Sequence, residues 1–398
     1  MSVDLFDKFQ SIIDQVEDLP QDATNPFSVK MEKVFSQTEA QINGQRTLLA
    51  GTNNYMGMTF DKAAIEAAHQ ALDQFGTGTT GSRVLNGTYS SHSELEEALK
   101  DFFNTKHAMV FSTGYLANLG ILSTLAGKDD YIIIDADSHA SIYDGCAMGN
   151  ANIVRFRHND ANDLEKRLKR LPADAGKLVV VESIYSMLGD KAPLSELATV
   201  AKAAGAMFVV DEAHSMGFYG ATGGGVTQEE GIEDMVDFII GTFSKSVGTV
   251  GGYCVSNHPK FEILRLVSRP YMFTASLPPS VMASAISAIG TLKAGSNIKG
   301  ALWENSKHLH SGLKDAGFTI ATEKAESPII AVCIDDAETT ARFWSELLAS
   351  GVYVNMAIPP ATPQGLNLLR CSVCAAHTSE QIDTIIAKFK AVKAKLNL

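Results

Sequence analysis

Met207-Phe208-Val209-Val210-Asp211-Glu212-Ala213-His214 is an apolar strand that runs straight into an acid and a histidine. Phe238-Ile239-Ile240-Gly241 is a second one, and it delivers Thr242-Phe243-Ser244-Lys245-Ser246, a lysine flanked by hydroxyls. An acid at a strand end can keep a ring nitrogen protonated, because a nearby anion favours the charged form. A lysine can supply a Schiff-base amine, and hydroxyls can hold a phosphate. Together the two stretches suit a pyridine cofactor bound through an aldimine. D-x-x-H alone is a weak signal, since an Asp at a strand end is more often a cap; the spacing to Thr-x-Ser-Lys carries the reading.

Further strands are expected at Ala108–Phe111, Tyr131–Ile134, Asn152–Phe156, Leu178–Val181 and Gly252–Val255. Helical periodicity lies between most of them, at Ser93–Phe103, Leu116–Leu125, Asp160–Arg170 and Leu194–Ala204. Continuous apolar strands separated by helices make a largely parallel sheet covered on both faces. Ligands bind such sheets at the carboxyl ends of the strands, where the acid, the histidine and the lysine fall.

Other strand ends offer further candidates. Ser112-Thr113-Gly114-Tyr115 opens a helix whose first N–H groups suit a phosphate, or it is a plain N-cap with a turn glycine. His139, after Asp135, could lie over an aromatic ring or be an ordinary loop histidine. Ser186, after Glu182, could reach a cofactor or bond its own turn. Arg370 sits alone among apolar residues in the strand expected over Leu368–Val373, which points to an anionic partner, either a substrate carboxylate or an internal acid. Gly76-Thr77-Gly78-Thr79-Thr80-Gly81 spells G-x-G-x-x-G, yet a helix near Lys62–Phe75 precedes it, so the dinucleotide reading fails.

The chain has 398 residues, of which 45% are hydrophobic and 20% charged, enough for two domains or one large α/β domain with an appendage. A net charge of −12 disfavours a general nucleic-acid or anionic-membrane binder, while leaving room for a local basic pocket. No apolar run reaches the length of a membrane span, and Met1 to Phe6 have no signal-peptide character. The expected location is the cytoplasm, with loose association with the inner membrane surface left open. Leu5, Phe6, Phe9, Ile12, Ile13 and Val16 form an amphipathic face near the amino terminus, followed by a Pro-containing connector. Its polar side carries acids, which favours packing on a partner subunit over lying on a membrane. Asn43-Gly44 marks a hairpin turn within 40–49. Five cysteines (146, 254, 333, 371 and 374) fit a reducing compartment, and Cys371-x-x-Cys374 lacks a second pair for a metal.

The motifs Gly78-x-x-Gly81-Ser82-Arg83-x-x-x-Gly87-Thr88, Asp137-Ser138-His139-Ala140-Ser141, Asp211-Glu212-Ala213-His214 and Gly241-Thr242-Phe243-Ser244-Lys245 closely resemble the α-oxoamine synthases, pyridoxal-phosphate enzymes. The resemblance runs from about Asn25 to the end. It implies an α/β, PLP-dependent aminotransferase-like architecture of fold type I: a mostly parallel seven-stranded sheet with a smaller α+β C-terminal domain. The expected parts are an N-terminal helix and hairpin (1–49), a large PLP-binding domain (50–296) and a small C-terminal domain (297–398).

The resemblance also implies roles. Lys245 would form the Schiff base and act as the base, Asp211 would pair with the pyridinium nitrogen, and His139 would stack on the ring. His214 and Ser186 would contact the ring hydroxyl. Phosphate would be held by Gly114, Tyr115, Thr242 and Ser244, and by Thr274 and Ala275 of the other subunit of a homodimer. Asn54 and Arg370 would contact the amino-acid substrate, Arg370 at its carboxylate. Some relatives carry an arginine where this chain has Ile358, so Arg370 would serve alone.

The segments 51–58, 135–146, 273–279 and 355–363 most resemble family members that condense L-serine with palmitoyl thioester, from coenzyme A or acyl carrier protein, to 3-ketodihydrosphingosine. Sister enzymes that join glycine or alanine to shorter acyl thioesters share the cofactor motifs and are the alternative. A non-catalytic partner subunit of this fold would lack the lysine, which is present here.

Overall fold

The computed structural model describes residues 4–17, 25–295 and 297–398. Its centre is a seven-stranded sheet in the order His107–Phe111, Gly252–Ser256, Phe238–Thr242, Met207–Asp211, Lys177–Glu182, Tyr131–Asp135, Asn152–Phe156. These are the seven strands expected, each within a residue of its predicted bounds. Gly252–Ser256 runs antiparallel to both neighbours, and the remaining pairings are parallel.

Burial on both faces explains the unbroken apolar runs. Along the sheet, Val179, Val181, Phe208 and Val210 pack into one core layer. Leu178, Val180, Val209 and Ile240 pack into the other. Alternate side chains thus serve opposite layers, so the central strands must be apolar at every position until the chain leaves the core. Polarity returns at the carboxyl ends, where Glu182 and Asp211 are register partners. The antiparallel strand brings its amino end to this edge, with Gly252 opposite both Phe111 and Thr242.

Helix starts deviate from prediction where a side chain caps them. The helix expected from Ser93 starts at Ser90, because His92 Nδ1 accepts the Tyr89 N–H (3.1 Å). The one expected from Asp160 starts at Ala161, with Asp160 as its cap over the Asp163 N–H (2.8 Å). A helix over Lys62–Phe75 does precede the glycine string.

Residues 298–398 form a second, antiparallel sheet: Thr319–Ile320, Ile329–Ile334, Asn367–Ser372 and Asn355–Ala357, in that order. The helices Ile298–Asp315, Ala337–Ala349 and Ser379–Lys395 accompany it. The hairpin Glu39–Ile42 and Gln45–Leu49 turns at Asn43 and Gly44, whose φ angles of 51° and 74° are those a two-residue turn of this kind requires. Val352–Tyr353 pairs parallel with Leu48 and Leu49 of this hairpin. The loop after it is stitched down by Ser372 N–H to the Ala50 carbonyl (2.7 Å) and Ala375 N–H to the Tyr55 carbonyl (2.8 Å).

At the amino terminus, Asp7–Phe9 is a 3-10 turn and Gln10–Glu17 an α-helix, with Leu5, Phe6, Phe9, Ile12 and Ile13 exposed. Residues 18–24 of the Pro-containing connector expected up to about residue 35, and Ser296 of the expected domain boundary, lie outside the described residues. No helix among the described residues is long and apolar enough to cross a membrane.

Gly252 lies where a side chain cannot. A Cβ there would fall 2.4 Å from the Thr113 carbonyl oxygen and 2.5 Å from the Gly114 nitrogen, both backbone. Gly252→Ala is expected to lower stability by about 1–3 kcal/mol by pushing the 113–114 turn off the sheet. Chemical denaturation checks this; an unchanged midpoint would contradict it.

Candidate active site

The strand ends and the start of the Gly114–Leu125 helix enclose a cavity of about 250 Å³. Gly114, Tyr115, His139, Asp211, His214, Thr242, Ser244 and Lys245, all singled out in the sequence, line it together. Asn118, Ser141 and Glu182 line it as well.

Lys245 follows the Phe238–Thr242 strand. Withdrawal of its ammonium from bulk water brings its pKa down to about 8; the Asp211 and Glu182 carboxylates oppose this and the Arg370 charge adds to it. The outcome is an amine that is partly neutral near physiological pH and able to attack a carbonyl. Glu182 is fully buried, and burial followed by the Asp211 charge raises its carboxyl well above the usual range. Its Oε1 accepts the His139 N–H (2.5 Å). Asp211 ends its strand with Oδ1 accepting the Ala213 N–H (2.9 Å) and Oδ2 accepting from Asn118 Nδ2 (2.8 Å).

His214 is buried, and burial followed by the Lys245 charge holds it neutral. His139 stands at the exposed side of the cavity, where desolvation and the Lys245 charge lower its pKa against the opposing Asp211 charge. His214 Nδ1 meets the Tyr55 hydroxyl at 2.8 Å, and that hydroxyl donates to Asn53 Oδ1 (3.0 Å). With the Tyr55 proton so directed, Nδ1 is the donor and Nε2 is left as an acceptor. Tyr55 was not anticipated; a tyrosine in a polar loop carries no local mark of its partner.

The helix start lies hard against Thr242, since a Cβ on Gly114 would sit 2.7 Å from the Thr242 Cβ. Thr113 caps this helix over the Leu116 N–H (3.0 Å), and the Thr242 and Ser244 hydroxyls meet at 2.9 Å beside it. Helix-start N–H groups and two hydroxyls lying side by side here have the chemistry to hold an anion.

Arg370 is 5% exposed. Its Nε donates to the Ser186 carbonyl (2.6 Å), one terminal nitrogen to Ser372 Oγ (3.0 Å) and the other to Asn53 Oδ1 (3.2 Å). All three acceptors are neutral, so these contacts include no internal ion pair. A buried guanidinium bonded only to neutral groups suits an incoming carboxylate.

Other expected residues sit apart from the cavity wall. Ser186 lines a neighbouring cavity with Met187, His158 and Pro360, and shares with the site the Arg370 bond through its carbonyl. Asn54 donates to Thr59 Oγ1 (2.7 Å). Thr274 and Ala275 follow the exposed Phe273, and the Ala275 carbonyl accepts from Ser112 Oγ (2.5 Å). Cys371 and Cys374 are buried free thiols, pushed up by burial to about 12 and about 11.

An α/β sheet with a lysine, an acid and a helix start at its carboxyl edge defines the class. The chain matches the aminotransferase class I and II family over residues 47–389 and belongs to it. It is 58% identical over 389 residues to a serine palmitoyltransferase of Sphingomonas paucimobilis, spanning 98% of this chain and 93% of that protein. Its structure is similar to that of Sphingomonas wittichii serine palmitoyltransferase, with a TM-score of 0.97, 59% identity and 99% of each chain covered. It is equally similar to a lysine-to-alanine variant of the S. paucimobilis enzyme with a bound PLP–myriocin aldimine: TM-score 0.98, 57% identity, 99% of this chain and 100% of that one.

In cofactor-free protein, the Lys245 amine is expected to acylate with an apparent pKa near 8, well below that of ordinary lysines. Asp211→Asn removes a charge that raises this value, so the midpoint should fall further. Peptide mass spectrometry across a pH series reads both. A midpoint above 10, or one raised by Asp211→Asn, would contradict the assignment.

Proposed function

We propose that the chain is a pyridoxal 5'-phosphate-dependent acyltransferase that condenses L-serine with a palmitoyl thioester to 3-ketodihydrosphingosine, releasing carbon dioxide and the free thiol, the first step of sphingolipid synthesis. The relatives are named for this activity. The single observation that carries the reading is the convergence of Lys245, Asp211 and His139 on one cavity with a helix start beside it.

When bound, the cofactor supplies an aldehyde that condenses with amines and a charged ring that draws off the electron pair left at the substrate α-carbon. In this reading Lys245 anchors that aldehyde. Its amine would also be placed to take the α proton of bound serine, a transfer to which a pKa of about 8 is suited. Asp211 keeps the positive charge on the ring nitrogen. His139 covers a ring face as a neutral imidazole, and His214 offers its acceptor nitrogen to the ring hydroxyl, with Ser186 assigned to the same group. The Gly114 and Tyr115 N–H groups, with Thr242 and Ser244, take the phosphate.

Arg370 takes the serine carboxylate alone, with Asn54 assigned to the same substrate, because Ile358 lines an apolar cavity beside Pro359 and Pro360. Residues 50–296 thus carry the ring-facing groups, and 297–398 carry the carboxylate anchor. The hairpin of 1–49 ties the two.

Homodimerisation is part of the proposal. Tyr115 and Val250 on the cavity wall are exposed, as are Leu85 and Phe273. A second subunit bringing Thr274 and Ala275 to the phosphate would cover this rim. The proposed location is the cytoplasm, and the acyl donor is a thioester of coenzyme A or of acyl carrier protein.

Serine, and not glycine or alanine, should drive α-proton exchange, and product should form with palmitoyl rather than acetyl, succinyl or pimeloyl thioesters. Supplying palmitoyl on coenzyme A and on acyl carrier protein in parallel identifies the carrier. Product from glycine and acetyl-CoA alone would overturn the reading in favour of a sister enzyme. Arg370→Ala should raise the serine KM roughly 10- to 100-fold, in line with a charged hydrogen bond of about 1.5–3 kcal/mol.

A further inference from the structure

A chain of polar groups leads from buried Asp211, through Asn118 and Ser141, to His139. Asn118 is 2% exposed and lies on the Gly114–Leu125 helix, one turn beyond the residues assigned to phosphate. Its Nδ2 donates both to Asp211 Oδ2 (2.8 Å) and to Ser141 Oγ (2.9 Å). The carboxylate oxygen can only accept, which fixes the amide with its NH2 group on this side. Ser141 Oγ lies 2.7 Å from His139 Nδ1, and the Ser141 N–H points to the same nitrogen at 3.2 Å.

The direction of each bond follows. A main-chain N–H can only donate, so His139 Nδ1 is an acceptor and the ring proton resides on Nε2. The Ser141 hydroxyl accepts from Asn118 and gives its one proton to that same Nδ1. Close packing permits the bridge: Gly145, one turn beyond Ser141, lies so near the neighbouring helix that a Cβ would sit 3.0 Å from the Asn118 carbonyl oxygen.

We propose that Asn118 is a positioning residue that couples Asp211 to His139 through the Ser141 hydroxyl. It fixes the carboxylate rotamer and, through the Ser141 hydroxyl, the orientation of the imidazole. The group beneath the ring nitrogen and the group over the ring face therefore keep one relative orientation. This inference rests on the cofactor reading above. A polar group that merely satisfied the interior would contribute to stability and leave the electronics of the bound cofactor unmoved.

The test uses the holoenzyme and three variants: Asn118→Leu, Ser141→Ala and Ser141→Thr. The readouts are the pH midpoint of the visible cofactor band, the cofactor dissociation constant, and the rate of serine α-proton exchange. Ser141→Ala cuts only the imidazole arm. It should shift the band midpoint and slow exchange about tenfold, the scale of one hydrogen bond, with the dissociation constant unchanged. Asn118→Leu cuts both arms and should also weaken cofactor binding roughly 10- to 100-fold, as loss of a supporting hydrogen bond does at metal sites. Ser141→Thr keeps the hydroxyl and should restore the wild-type midpoint.

Folded Asn118→Leu and Ser141→Ala proteins with wild-type midpoint and exchange rate would overturn the proposal. So would a Ser141→Thr protein that behaves like Ser141→Ala. Should Asn118→Leu not fold, the Ser141 pair decides alone. A wild-type protein with no visible band would instead remove the cofactor reading, and this inference with it.

Discussion

The site depends on an amine taken out of water within reach of carboxylates. Desolvation draws the proton off Lys245, and the neighbouring acids hold it on. The opposition of the two brings it to about 8. Glu182 shares the same pocket, where burial followed by the Asp211 charge pushes its carboxyl well above the usual range.

The sheet makes that arrangement possible. Parallel strands buried on both faces place their first polar residues at one edge, and the register pairing of Glu182 with Asp211 makes neighbours of two acids from separate strands. Beyond that edge, the loop at 50–57 is bonded to the strand bearing Arg370 and to the turn after it. Asn53 Oδ1 thereby receives both Arg370 and Tyr55, and Tyr55 in turn holds His214. The groups assigned to the substrate carboxylate and to the ring hydroxyl are tied by one polar path.

Much of this was legible in the sequence because it is local. Apolar runs such as Ile132–Ile134 announce a doubly covered strand, and Asn43-Gly44 announces its turn. The residues that end the strands are read off directly, which is why Asp211, His214 and Lys245 stood out. Long-range features left no such mark. Nothing in Val352–Tyr353 says that it completes a hairpin some 300 residues earlier. Asn118 lies inside a mostly apolar helix, where only the approach of Asp211 and Ser141 gives it meaning. Ser186 was read for its hydroxyl, yet its carbonyl makes the bond to Arg370.

The central claim is that the Lys245 amine holds the aldehyde of pyridoxal phosphate in the cavity it shares with Asp211. Borohydride reduction of the holoenzyme, followed by peptide mass analysis, tests it most directly. The account predicts a phosphopyridoxyl group on the peptide carrying Lys245 and on no other lysine. An unmodified Lys245, or the label on a different residue, would contradict it.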